Sequence, residues 1–446
     1  MSDARLAANK VVFVALIGLS AGLTAFDETS LGVVLPTLRE DFQTTPAATH
    51  WVVNAYLVVM ASLVAACGRL ADIVPPERLW RLGIVIFLVT SVAAGFAPTI
   101  GWLIAIRAVQ GIGSALIFTL SVVLIGRVFA DNERGRAFGI FSSLVTVLIL
   151  IGPIAGGLLT EYLSWRWVFW ITVPIALLCL VGLRLPQGTA PYARKPLRLD
   201  PAGTLTLTLS VAALSIALMQ GPSWGWLSPT IICLIAVAVV AGVCFVVVEL
   251  KSRAPLIDLT LFRDKAAAVS LMTLAMAQYR RVGTSIYLAL FLRDGLGFSP
   301  LYAGLALLPA VALLPLSTVL VGRYADRFGA RRVMLSGIAA IGISTAWLAL
   351  GADIPSYWVM LPALLVISCF APAMFGPSRK AMLHTLPAEQ HAQAGGVSVT
   401  AQMLGSTLAI SIGSVLLSMT GLTWPIFALM AIILAALCFT AYRWLD

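Results

Sequence analysis

Five charged side chains interrupt otherwise apolar runs of this sequence: the adjacent carboxyls Asp27 and Glu28, and the arginines Arg107, Arg280 and Arg281. A charge at the middle of a hydrocarbon layer costs about 2.5–3.5 kcal/mol on insertion scales, so each of these groups needs a partner, water or a function. Desolvation disfavours an ionised carboxyl and a nearby cation favours it, so a buried acid beside a guanidinium can be poised to take up and release a proton. Asp27 lies about 24 Å along its apolar run at 1.5 Å per residue, and Arg107, entering its own run from the other side, reaches a similar depth. They are the expected proton-coupling residues, with a static structural pair as the competing reading. Neighbours on a helix point about 100° apart, so Glu28 cannot share a face with Asp27. It either faces a central cavity, where it would attract a cationic substrate, or packs against another helix. Two cations at Arg280 and Arg281 would favour a substrate with a carboxylate, phosphate or phenolate, unless they pair across the bundle with Asp27 or Glu28. Gln110 and Gln278 complete the expected substrate-binding set.

The elements that must position these groups are membrane spans. The chain of 446 residues is 60% hydrophobic and 11% charged, with a mean hydropathy of +0.99. A soluble domain carries nearer a quarter of charged residues, and no soluble core of this size could bury so much apolar surface. A hydrocarbon core about 30 Å thick needs about 20 apolar residues per helix. That ruler places fourteen spans near 11–36, 47–68, 79–98, 101–127, 136–161, 166–185, 201–219, 228–250, 266–292, 300–322, 333–351, 356–378, 393–418 and 422–443. The run from Val11 to Pro36 is too long for a signal-peptide core and lacks a small-residue cleavage site, so it is expected to remain as the first span.

Loop charges orient the spans. When the loops alternate between two sides, 23 of the 29 Lys and Arg residues fall on the side of the termini and three, Arg39, Arg166 and Arg293, on the other. This bias predicts that both termini are cytoplasmic. It also accounts for the formal charge of +10 without a nucleic-acid partner. Tryptophans near span ends, such as Trp51, Trp102, Trp165, Trp358 and Trp424, are expected as interfacial anchors. The six cysteines form no C-x-x-C pair and read as small apolar residues, and no histidine stands at metal-ligand spacing. His50, His384 and His391 lie at a span end or in loops and are not expected to carry protons.

An internal repeat divides the chain. Gly68-Arg-Leu-Ala-Asp72 after the second span returns as Gly322-Arg-Tyr-Ala-Asp326 after the tenth, at matching topology. The predicted organisation is a six-helix bundle over 1–185, a linker with two inserted helices over 186–260, and a second six-helix bundle over 261–446.

At these residues the chain resembles the major facilitator superfamily, and within it the fourteen-helix drug:proton antiporters, over nearly its whole length. Phe26-Asp27-Glu28-Thr29-Ser30-Leu31-Gly32-Val33-Val34-Leu35-Pro36 is similar to the family pattern L-D-x-T-(I/V)-V-N-(V/I)-A-L-P, with Gly32 where Asn is usual. Arg107-Ala-Val-Gln110-Gly111-Ile-Gly113 is similar to R-x-x-Q-G-x-G, and Gly152-Pro153-Ile-Ala-Gly156-Gly157 to the antiporter motif. Ser164-Trp-Arg-Trp-Val-Phe-Trp170 and Pro174 also match, with Thr172 at the usual Asn. The loop pattern G-x-L-(A/G)-D-R-x-G-R-(R/K) is kept in the second copy through Asp326, Arg327, Gly329, Arg331 and Arg332. In the first copy Ile73, Pro75, Pro76 and Glu77 replace its Arg, Gly and basic residues, so only Gly68 and Asp72 carry over, with Arg78 or Arg81 as possible substitutes. The resemblance implies that Gly68, Asp72, Gly111, Gly152, Pro153, Gly156, Gly157, Gly322, Asp326 and Arg327 serve gating. For the glycines and Pro153, close helix packing and a bend explain the pattern equally well.

The implied activity is proton-coupled export of amphiphilic compounds by alternating access in a bacterial cytoplasmic membrane. Its partners would be a small-molecule substrate, protons and the lipid bilayer, for a monomer needing no cofactor beyond the proton gradient. The alternative is a carrier of one organic anion, metabolite or lipid-like molecule bound near Arg280 and Arg281. An enzyme is not expected, because no zinc-protease, serine-hydrolase or phosphate-loop pattern occurs. A receptor or scaffold would have no need of acids and arginines at matched depth.

Overall fold

A computed structural model describes residues 2–71, 73–129, 131–183, 200–252, 264–351, 354, 356–385 and 391–444. Asp72 lies outside the described residues, as do 184–199 and 253–263, which hold most of the linker stretches expected at Pro186–Pro201 and Lys251–Lys265. What is described is helical throughout: α1 (Ser2–Asp41), α2 (Pro46–Leu70), α3 (Pro76–Gly95), α4 (Ile100–Val128), α5 (Asp131–Tyr162), the short α6 (Trp167–Trp170) and α7 (Thr172–Gly182), α8 (Pro201–Trp224), α9 (Pro229–Lys251) and α10 (Lys265–Leu290). There follow α11 (Pro300–Leu307), α12 (Leu314–Phe328), α13 (Ala330–Gly351), α14 (Tyr357–Thr385), α15 (His391–Thr420) and α16 (Trp424–Trp444).

Twelve helical segments among the described residues, with α11 and α12 counted together as Pro300–Phe328, are long and apolar enough to cross a membrane, against the fourteen expected. The two others coincide with expected spans. Trp167–Gly182 is apolar but short, and α10 is 26 residues long but is made less apolar by Lys265, Gln278, Arg280 and Arg281. Where no water reaches the backbone, each helix satisfies its own peptide groups within one segment. Helix starts follow local chemistry: Thr99, Asp200, Ser228, Asp264 and Ser299 each accept a bond from the backbone N–H three residues on, and Pro201, Pro229 and Pro300 occupy first-turn positions.

The expected span at 300–322 is broken. A 3₁₀ turn at Leu308–Ala310 separates α11 from α12, beside Pro309 and Pro315, whose rings remove two helix donors. The side chain of Ser368 on α14 compensates, its Oγ accepting from Leu313 N–H at 2.8 Å.

One continuous apolar core runs from Phe13 on α1 to Ala441 on α16. Helix α1 packs on α5, α2 on α4, and α3 on α4 and α7; separately, α13 packs on α14 and α16, and α10 on α14, α15 and α16. Across these groups α2 meets α15, α5 meets α11, and α1 meets α10. The pair α8–α9 leans on α2 and α15, and Leu207 and Phe245 join a small cluster with Leu271 and Val397. Apolar side chains such as Val181, Leu227 and Ile343 project outward, as lipid-facing positions do. Trp165, expected as an interfacial anchor, is instead buried at 2% exposure and donates to Asp41 at 2.8 Å.

Candidate functional site

Asp27 and Arg107 meet in the interior, both fully buried, with Arg107 Nη1 2.5 Å from Asp27 Oδ2. A guanidinium has more donors than one carboxylate oxygen can use, and its surroundings take up most of the rest. Arg107 Nε donates to the Val52 carbonyl at 2.9 Å, Nη1 also reaches Gln110 Oε1 at 2.7 Å, and the ring of Tyr56 lies 4.3 Å from the guanidinium carbon. Gln110, one turn after Arg107, passes the network on through Nε2 to Ser91 Oγ at 3.0 Å, and Thr172 Oγ1 lies 3.1 Å beyond. Thr172 thus fills with a hydroxyl the place where the resembling family has Asn. Asp27 Oδ1 and Arg107 Nη2 have no partner among the described residues, so the pair is not saturated. Thr172 was marked in the sequence only as a departure from the family's Asn, and Ser91 and Tyr56 gave no sign, because hydroxyls in apolar helices ordinarily bond their own backbone.

Glu28 turns away from Asp27 as the helical geometry requires. It pairs across to α10, where Arg281 Nη2 donates to Glu28 Oε2 at 2.8 Å and Arg281 Nε to Gln278 Oε1 at 3.0 Å. The two midspan arginines therefore part company. Arg281 has the acid, whereas Arg280, 3% exposed, forms no ion pair among the described residues, and its Nε has no hydrogen-bond partner among them.

Glu28, Gln278, Arg280 and Arg281 line a cavity of about 600 Å³ between α1, α2, α4, α5, α10, α12, α14 and α15. Gln402 on α15, an embedded amide that the sequence reading passed over, lines it as well. The lining continues past Gly322 to Asp326 and Lys380, which are exposed and joined at 2.5 Å, so the cavity reaches the end of the molecule that carries the basic loops. At the opposite end polar contacts tie the helices together beside a second cavity of about 590 Å³, which Pro36, Arg39, His50 and Asp294 line. Arg39 bridges to Asp294 through both guanidinium nitrogens, at 3.1 and 3.3 Å, and Glu161 accepts from Ser299 Oγ at 2.5 Å and from Leu301 N at 2.8 Å.

Four of the six glycines expected at gating positions mark close helix approaches. A Cβ at Gly111 would strike the Tyr56 carbonyl, at Gly152 the Thr29 hydroxyl, at Gly156 the Ser30 carbonyl and at Gly157 the Pro300 carbonyl. Pro153 lies inside α5 against Gly304 of α11. Gly68 and Gly322 are different: a Cβ would meet only Thr119 at 3.6 Å in the first case and nothing within 4 Å in the second. We expect Gly156→Leu to lower the melting temperature and abolish transport, since overpacking a tight contact costs about 1–3 kcal/mol or more. Gly139→Ala on the same helix, facing open space, should change neither. Differential scanning fluorimetry of the purified variants checks both.

Of the loop residues, Arg327 stacks over Phe328 at 5.3 Å. In the first copy Arg81 donates to the Leu183 carbonyl at 2.9 Å, while Glu77, standing where a basic residue is usual, pairs with Arg127 at 2.8 Å. Among the described residues no group of His, Cys, Asp and Glu is placed to hold a metal ion.

Comparison with known proteins adds three kinds of similarity. The family model described as Major Facilitator Superfamily matches residues 17–314 and 266–446. The chain is 30% identical over 412 residues to the multidrug resistance protein Stp of Mycobacterium tuberculosis, covering 92% of this chain and 76% of Stp. It is 29% identical over 395 residues to the puromycin resistance protein pur8 of Streptomyces alboniger, with 87% and 78% covered, and 29% identical over 400 residues to the multidrug efflux pump LfrA of Mycolicibacterium smegmatis, with 89% and 79% covered. A crystal structure of a variant of the nucleoside transporter NupG superposes with a TM-score of 0.70 over 98% of this chain and 100% of that one, at 15% identity, which speaks to the fold alone.

Proposed function

The chain belongs to the Major Facilitator Superfamily, and from that premise we propose that it is a proton-coupled exporter of amphiphilic organic compounds working by alternating access. It is a membrane transporter, not an enzyme. The observation that carries the coupling is the fully buried, unsaturated pair of Asp27 and Arg107 beside a cavity large enough for an organic molecule. Asp27 binds the proton, and Arg107 stabilises the carboxylate left when the proton departs. Glu28, Gln110, Gln278, Arg280 and Arg281 then form the polar side of substrate binding, Gln110 by orienting Arg107.

In this reading α6–α7 and α10 also cross the bilayer, giving fourteen crossings. Two six-helix bundles, 1–185 and 261–446, carry the transport cycle, and 186–260 is an insert between them. The packing of α1 to α7 among themselves and of α10 to α16 among themselves supports that division, with α8–α9 lying against α2 and α15. The basic end is the cytoplasmic one in a bacterial cytoplasmic membrane, so this conformation faces inward, and Arg39–Asp294 and Glu161–Ser299 seal the outer side. Rocking of the bundles would break those outer contacts and close the cytoplasmic mouth near Lys380 and Asp326. A monomer suffices, with protons and substrate as its only partners and no cofactor.

The names of the relatives support drug-like substrates, since Stp, pur8 and LfrA are named for multidrug resistance, puromycin resistance and multidrug efflux. The test is the purified protein in liposomes with an imposed pH gradient, offered amphiphilic fluorophores of positive, zero and negative charge. Movement of at least one that follows the gradient and collapses with a protonophore is expected. Movement of every compound at the same rate with and without the gradient would overturn the reading.

A further inference from the structure

We infer that Arg280 is the headgroup site of the central cavity and that the preferred substrate is an amphiphile carrying a single negative charge. This deepens the proposal that the cavity carries substrate and rests on it. The argument begins with charge. The charged side chains lining the cavity are Glu28, Arg280, Arg281, Asp326 and Lys380. Asp326 and Lys380 cancel at the exposed mouth, and Glu28 and Arg281 cancel inside, which leaves the positive charge of Arg280 uncompensated. Desolvating a cation is expensive unless an anion or several acceptors face it. Arg280 has neither among the described residues, yet only 3% of it is exposed.

A second unpartnered polar group lies close by on α10. Thr284 lies one turn after Arg280, on the same face of α10, also lines the cavity and has no partner for its hydroxyl among the described residues. A carboxylate or phenolate placed between them would accept from the guanidinium and from the hydroxyl, the charge-assisted bonds that a guanidinium makes best. Glu28 presents one oxygen without a partner, but its charge is held by Arg281. The rest of the lining suits an apolar body, with Tyr56, Met60, Phe118, Ile367, Phe375 and Met403 around it. A cationic amphiphile would meet repulsion from Arg280 and would have to break the bond between Glu28 and Arg281 before gaining an acid.

The experiment uses three probes with one apolar body: pyrenebutyrate, its neutral amide, and the corresponding quaternary ammonium. Binding to the purified protein in nanodiscs is titrated by fluorescence against empty nanodiscs. Wild type should bind the acid about tenfold or more tighter than the amide, as loss of one charged hydrogen-bond partner implies. Arg280→Gln should bring acid and amide to within about twofold, and Arg280→Lys should keep part of the preference. Glu28→Gln should strengthen acid binding, because it frees Arg281 as a second cation. Equal binding of acid and amide by wild type, a preference that survives Arg280→Gln, or binding of none of the three probes would overturn the inference. Failure of the exporter reading would look different: the acid would bind with this preference but would not follow a pH gradient in liposomes.

Discussion

Asp27→Asn is expected to abolish transport driven by a pH gradient, by more than about tenfold, while exchange of substrate at equal pH persists. Asparagine keeps the shape of a protonated aspartate but can neither release a proton nor gain a charge. The Arg107 guanidinium that faces it retains the Val52 carbonyl, Gln110 Oε1 and the face of Tyr56, so the variant should fold. If instead Asp27 and Arg107 were a static brace, the loss would fall on stability and the gradient would still drive transport. Measuring gradient-driven uptake and equilibrium exchange on one preparation separates the two.

Arg107→Met should be the more damaging change to the protein itself. It strands a carboxyl that is fully buried and that has Arg107 as its one ion-pair partner among the described residues. Breaking a buried pair from one side costs about 3–5 kcal/mol, while removing both charges together costs much less. The prediction is strongly non-additive: Arg107→Met with Asp27→Asn should melt higher than Arg107→Met alone. Transport should be lost in both. Additive losses of melting temperature would mean that the two side chains do not stabilise each other in the folded protein.

Much of this was legible in the sequence, for reasons that can be traced to single residues. Depth counting along two apolar runs put Asp27 and Arg107 at one level, and a buried acid and base at one level find each other. The 100° rule separated Glu28 from Asp27, whereas the pairing of Arg280 and Arg281 with Asp27 or Glu28 was left open. Which arginine reaches Glu28 was not legible, because the rotation of α10 about its axis is set by packing against α14, α15 and α16. The break between α11 and α12 was concealed because Pro309 and Pro315 sit in a run that is otherwise apolar and long enough for one span. The support behind Arg107 was hidden for a different reason: Ser91 and Thr172 are short hydroxyls whose usual partner is the local backbone. The twelve apolar helices reflect composition directly, and the two segments that fall short do so because one is short and the other carries the cavity's arginines.

The central claim is that substrate movement and proton movement are one event at Asp27. Liposomes containing the protein and the pH-reporting dye pyranine, with no pH gradient imposed, test it most directly when a concentration gradient of transported substrate is applied. The account predicts a proton flux opposite to the substrate flux in wild type, and none in Asp27→Asn although substrate still exchanges. Substrate movement without any proton flux in wild type, or an unchanged flux in Asp27→Asn, would contradict it.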